Sequence, residues 1–251
     1  MSTKTVWVTG GAGFLGRAVV KRLIADGHSV HCLVRSGTAA RELSDSVPES
    51  DRSRLNVIRG ALNDLDACRQ LVASAPAGLH IASSLSGSAA ALFSANVIAT
   101  RTLLRAVRER ACERFVLVSS IAVYGTSHLK AGEILDESSP LDPEPQSRDP
   151  YTFSKVAQER VCWEARADAA LPLVVVRPGM IYGPGRECLS ARVGIKVGPV
   201  LIRMGGHQPL PYTYVDNCAD ALVRAATLTG IDGETFNIID DELPTGALLI
   251  R

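Results

Sequence analysis

Residues 6–23 read VWVTGGAGFLGRAVVKRL. A short apolar, β-branched run leads into four glycines, Gly10, Gly11, Gly13 and Gly16, and these open onto a helical pattern. In that pattern Leu15, Val19 and Leu23 recur every four residues, as do Val20 and Ile24. Gly11, Gly13 and Gly16 satisfy GxGxxG, and Gly10, Gly13 and Gly16 satisfy GxxGxxG. Strand, glycine turn and helix in this order have a physical use. Glycine allows the tight turn, lets the backbone approach a pyrophosphate, and packs the helix close to the strand with the phosphates at its N-terminus. The expected contacts are Gly10, Gly13, Phe14, Leu15 and Gly16; a glycine-rich turn that binds nothing is the plain alternative.

Outward from this unit the same alternation continues. Strand-like runs occur at 5–9, 29–34, 55–59, 78–82, 114–120, 171–177 and 235–239, each apolar enough to be covered on both faces. Between them lie amphipathic patterns, including Leu92, Ala95, Ala99, Leu103 and Ala106 in steps of three or four. Strand alternating with helix predicts an α/β fold, a Rossmann-type doubly wound parallel sheet. Residues 125–150 are rich in Pro, Ser and acids and read as a long loop. Residues 179–213 carry Gly and Pro with little periodicity. The expected division is a dinucleotide-binding domain of residues 1–178 with 214–239, and a reduced substrate-binding lobe of 179–213 with 240–251.

At the end of the second strand, where an acid would hold the ribose hydroxyls of NAD, the sequence has Val34 followed by Arg35. A guanidinium there suits a 2′-phosphate, so NADP is expected over NAD. The chain has 251 residues, with 27 basic against 26 acidic and a formal charge of +1. This balance excludes a nucleic-acid surface and a basic membrane patch, and leaves a small-molecule substrate as the expected partner. Cys32, Cys68, Cys112, Cys162, Cys188 and Cys218 lie far apart, with no CxxC pair and no metal-ligand spacing, and read as reduced thiols. The first residues lack the pattern of a signal peptide, and no stretch approaches the roughly 20 apolar residues of a membrane span. The expectation is a cytoplasmic protein without a metal.

Residues 149–160, DPYTFSKVAQER, set Tyr151 and Lys155 one helical turn apart. Spacing alone leaves open a catalytic pair and an ordinary helix face. Taken together, however, TGGAGFLG, LHIASS, NVIATRTLLRA, FVLVSSIAVYG, YTFSK, RPGMIYGPG and YTYVDNCADALVRA come in one order over nearly the whole chain. In that order they resemble the extended branch of the short-chain dehydrogenase/reductase superfamily, which holds nucleotide-sugar epimerases and dehydratases and the 3β-hydroxysteroid dehydrogenase-like and dihydroflavonol reductase-like enzymes.

The resemblance implies Tyr151 as acid/base, Lys155 as its activator and Ser120 as the hydroxyl that holds the reacting oxygen, with Ser119 as fallback. It implies a structural or proton-relay role for Asn96. Cofactor contacts are implied at Leu62, at Ile81, Ala82 and Ser83, at Tyr151 and Lys155, and at Pro178 and Ile181; substrate contacts are implied at Ser84, Ser120 and Tyr182. It also implies a homodimer pairing helices over 88–110 and 151–170. Two departures stand out. RGALNDL places Ala61 where the family has an acid for the adenine amine, with Asn63 and Asp64 further on. The stretch after 239 is shorter than the family's substrate lobe, as in a short form with a reduced lobe or a truncated chain with an open pocket.

A free tyrosine titrates near pH 10, about three units too high for a base at neutrality. A neighbouring ammonium and an oxidised nicotinamide would lower it. Three functions fit this reading: an NADP-preferring oxidoreductase interconverting a carbonyl and a secondary alcohol, an epimerase or dehydratase with retained NAD(P), and a non-catalytic cofactor sensor. His207 reads as a solvated loop residue, Asp216 as a helix N-cap, and Tyr124 as either a substrate contact or packing.

Overall fold

The computed structural model describes residues 3–127, 129–130, 133–186, 194–197, 200–203, 209–245 and 247. Cys188 and His207 lie outside them.

Seven strands form one parallel sheet: β1 (Thr5–Thr9), β2 (Ser29–Val34), β3 (Leu55–Arg59), β4 (Ala77–His80), β5 (Arg114–Val118), β6 (Leu173–Pro178) and β11 (Thr235–Ile238). Their spatial order is β3-β2-β1-β4-β5-β6-β11. The winding therefore reverses between β1 and β4, and the crevice beyond the C-terminal ends of those two strands is where such sheets bind ligands.

Alternate side chains along each strand feed two separate cores, as the period-2 geometry of a strand requires. Val6 and Val8 of β1, Val116 and Val118 of β5, and Val174 and Val176 of β6 pack against α1 (Phe14–Ala25) and α7 (Val215–Thr227). Trp7, Phe115, Leu117, Leu173 and Val175 pack on the other face, against α3 (Leu65–Ala73), α5 (Ala99–Arg108) and α6 (Pro150–Ala169). The remaining short helices are α2 (Gly37–Asp45) and α4 (Ala89–Phe93). None of the helices among the described residues is long and apolar enough to cross a membrane.

Three local expectations are corrected. The helical run from Leu92 to Ala106 is not one regular α-helix: a π-turn over Ser94–Ile98 joins α4 to α5. The extra residue rotates the stripe, so Ala95 is exposed and Asn96 and Val97 are buried. The stretch 179–213 is less irregular than its Gly and Pro content suggests. It contains β7 (Met180–Tyr182), which pairs in parallel with β10 (Tyr212–Tyr214), and an antiparallel hairpin of β8 (Gly194–Val197) and β9 (Val200–Arg203). Asp216 is not the N-cap of α7; Tyr214 holds that position without a side-chain bond, and Asp216 sits in the first turn, where a negative charge favours the helix dipole.

Candidate functional site

A cleft of about 1240 Å³ opens beyond the ends of β1 and β4. Its first half is built from backbone. Gly10 has φ +75°, and a Cβ there would come within 2.7 Å of the Ala82 backbone nitrogen. A Cβ on Gly16 would overlap the Gly10 carbonyl oxygen, so the helix can lie this close to the turn only without a side chain. The Gly13 N–H donates to the Gly10 carbonyl at 3.0 Å, and Gly13 is the N-cap of α1 with no side-chain cap. No acid occupies the first turn of α1. Backbone N–H groups at the end of a helix dipole, with no side chain in the way, fit a diphosphate.

Arg35 stands on the wall of this half, exposed, with no hydrogen bond or ion pair to any described residue. Leu62 and Asn63 line the same wall. Asp64 is engaged elsewhere: it caps α3, accepting from Asp66 N at 3.0 Å and Ala67 N at 3.3 Å. Ile81, Ala82, Ser83 and Ser84 follow the last residue of β4 along the cleft, and Pro178 and Ile181 border its far side.

The second half is built from side chains. Asp149 caps α6 by accepting from Thr152 N at 2.9 Å, and Pro150 takes the first helical position, which sets Tyr151 at the cleft wall. Burial pushes its phenol above the ordinary value of 10.0, and the nearby Ser120 hydroxyl and the positive charge of Arg186 oppose that rise. Ser120 stands just past the end of β5; its Oγ accepts from Ala122 N at 3.2 Å. Ser119, the fallback, donates instead to Glu159 at 2.6 Å. Glu159 in turn forms a buried ion pair with Arg177, whose Nη1 donates to Tyr124 Oη at 2.7 Å.

Lys155 makes its hydrogen bonds away from the Tyr151 phenol. Nζ donates to the Val118 carbonyl at 2.8 Å and to Gln158 Oε1 at 2.5 Å. For the phenol itself desolvation prevails, and Tyr151 is raised. Burial also brings Lys155 down from 10.5 to about 8, against the pull of Glu159.

Asn96 does not line the cleft. Its carboxamide clamps the backbone of Ser84, accepting from Ser84 N at 2.7 Å and donating to Ser84 O at 3.0 Å, and also donates to Ser154 Oγ at 2.9 Å. Ser154 donates to the Tyr151 carbonyl at 2.8 Å. Asn96 thereby ties the Ser84 wall of the cleft to the first turn of α6. Tyr182 also stays off the cleft lining, packed edge-on against Tyr212 and Tyr214 with its hydroxyl 3.2 Å from Asp240. Tyr124 is fully buried and bonded to Asn237 at 2.8 Å, which makes it packing rather than a substrate contact.

Sequence reasoning missed Arg186, Gln158 and His80. Arg186 places its guanidinium 5.4 Å over the Phe14 ring, so it spans from the glycine turn towards Tyr151. Its signal was a cation inside YGPGR; that of His80 was a polar residue in the apolar run GLHIA.

A family model described as the NAD dependent epimerase/dehydratase family matches residues 6–238. The chain is 33% identical over 220 residues to the 2-alkyl-3-oxoalkanoate reductase of Stenotrophomonas maltophilia (strain K279a), a match that covers 85% of this chain and 62% of the relative. It is 31% identical over 241 residues to the 4-hydroxy-2-methyl-3-oxo-4-farnesyl-3,4-dihydroquinoline-1-oxide ketoreductase of Stigmatella aurantiaca, covering 93% and 67%. The UDP-glucose 4-epimerase of Thermus thermophilus, solved in complex with NAD, has a TM-score of 0.75 at 25% identity, covering 98% of this chain and 81% of that one. The chain spans only 62%, 59% and 56% of the length of three curated relatives.

Proposed function

The chain belongs to the NAD dependent epimerase/dehydratase family, and on that premise we propose that it is an NADP-preferring oxidoreductase interconverting a carbonyl and a secondary alcohol on a small molecule. The observation that carries the reading is that Tyr151 and Ser120 line one cleft together, whose other half is the glycine turn. A bound nicotinamide would supply or accept the hydride. Tyr151 gives the proton to the reacting oxygen, and its raised pKa keeps it protonated for that task at neutral pH. Ser120 holds the same oxygen by a bond that strengthens as negative charge grows there. Arg186 stabilises the phenolate that remains, and Lys155 fixes the ribose side of the site. Arg35, without a partner among the described residues, takes the 2′-phosphate.

The reductase names of the two curated relatives favour net redox. The epimerase in complex with NAD supports a second reading, epimerase or dehydratase chemistry on a retained nucleotide. One experiment separates them. Purified protein is denatured and any released nucleotide identified by mass, and thermal shifts are compared for NADPH and NADH. Retained NAD(H) supports the second reading; an empty protein stabilised more by NADPH supports the first, and a larger shift with NADH removes the role given to Arg35. The same proposal includes a homodimer through helices α4 to α6, which light scattering checks.

A further inference from the structure

Behind Lys155 runs a buried polar chain whose other members the chemistry above does not use. From Lys155, Gln158 continues it: Nε2 donates to Thr100 Oγ1 at 2.9 Å. His80 Nε2 lies 2.8 Å from the same hydroxyl, and His80 Nδ1 lies 2.7 Å from Thr9 Oγ1. Thr9 Oγ1 accepts from the Ala82 N–H at 3.3 Å. Thr9, His80, Thr100, Lys155 and Gln158 are each at most 1% exposed.

Counting protons gives this chain a direction. The single Thr100 hydroxyl proton goes to the Asn96 carbonyl at 2.6 Å. Its oxygen can then only accept, so Gln158 must turn its NH2 towards Thr100 and its carbonyl towards Lys155. His80 must likewise carry its proton on Nε2, which leaves Nδ1 to accept from Thr9, and Thr9 to accept from Ala82. The 3.3 Å approach of Gln158 Nε2 to His80 Nε2 joins two donors and is a contact, not a bond. A neutral His80 agrees with its surroundings: burial first, and then the charge of Lys155, push it down to about 3.

We infer that Gln158, Thr100 and His80 are positioning residues that hold the Lys155 ammonium in register with the Ala82 backbone, so that one buried chain sets the geometry of both halves of the cleft. This inference rests on the nucleotide-binding reading proposed above. The physical need is plain. A lysine stem is flexible, whereas an acceptor of fixed orientation at its end, itself locked by Thr100 and His80, leaves one place for the charge. The charged and titratable groups around Lys155 are Glu159 and Cys162 on its own helix and His80 from β4, with Arg177 of β6 acting through its pair with Glu159.

The test uses the full chain and NADPH as probe. Gln158→Met keeps the length of the side chain but removes the amide acceptor. It should weaken NADPH binding about tenfold, the loss of one charge-assisted hydrogen bond. It should also move the Lys155 titration, followed by NMR of labelled lysine, below that of the wild type, because the charged form has lost an acceptor. Thr100→Val should act in the same direction, and Thr100→Ser, which returns the hydroxyl, should restore both readouts; this pair decides the matter if Gln158→Met does not fold. Unchanged NADPH affinity and an unchanged Lys155 titration in a folded variant overturn the inference alone. A wild type that binds neither NADPH nor NADH overturns the proposed function, and the inference with it.

Discussion

Where one half of the cleft is lined by backbone, from the Gly10 turn to Ala82 beyond β4, the other is lined by side chains, among them Ser120, Tyr151 and a Lys155 bonded to Gln158. The first half is shaped by what a Cβ would hit, and only local spacing is needed to build it. The second depends on which acceptors the packed interior offers, and those come from β5, from two different helices and from β4. Damage to the two halves should therefore look different, in affinity on one side and in turnover on the other.

The sharpest test of that contrast is Tyr151→Phe. Loss of an acid/base group should lower turnover by about 10²–10⁴-fold with NADPH affinity nearly unchanged, as measured by steady-state kinetics and a fluorescence titration. A proportional loss of affinity would break the contrast. Gly16→Ala should act on the other side: a Cβ overlapping the Gly10 carbonyl forces the turn and α1 apart, at about 1–3 kcal/mol of stability and with weakened binding of either nucleotide. Urea unfolding and thermal shift report both. If Gly16→Ala binds NADPH as the wild type does, the backbone cradle is not the binding surface.

Smaller, and more selective, is Arg35→Ala. It should reduce NADPH affinity about tenfold and leave NADH affinity unchanged, since one exposed charge–phosphate contact is lost. Equal losses for both nucleotides would assign Arg35 to the adenine or to general electrostatics. A separate effect concerns pH. The unfolded chain keeps the Lys155 proton up to 10.5, whereas the fold releases it above about 8. Stability relative to Lys155→Met should therefore be flat below about 8 and rise between there and 10.5, since Tyr151 is common to both proteins and cancels. Urea midpoints of the two proteins across that window show the rise, and a flat difference would mean that the ammonium is not buried in the fold.

Most of the fold is legible in the sequence because it is written locally. The seven apolar runs correspond to the seven strands, and the glycine spacing demands the turn between β1 and α1. In two of the runs, 78–82 and 114–120 against Ala77–His80 and Arg114–Val118, the residues beyond the strand, Ile81, Ala82, Ser119 and Ser120, turn out along the cleft. Tyr151 and Lys155 are legible as neighbours on one helix, but the direction of the ammonium is not. Spacing along α6 says nothing about a carbonyl on β5. The strands within 179–213 are hidden because they are three or four residues long and bounded by Gly and Pro, too short for a period to emerge.

The wide turn at Ser94–Ile98 puts the helical stretches before and after it one position out of step. Deleting a single residue there would give a smoother helix and a worse protein. Each residue of an α-helix advances by about 100°, so the Asn96 amide would swing off the Ser84 backbone while Leu103 and Val107 kept their seats in the core. The surplus residue works like a vernier, aligning a polar clamp on one scale and an apolar stripe on the other.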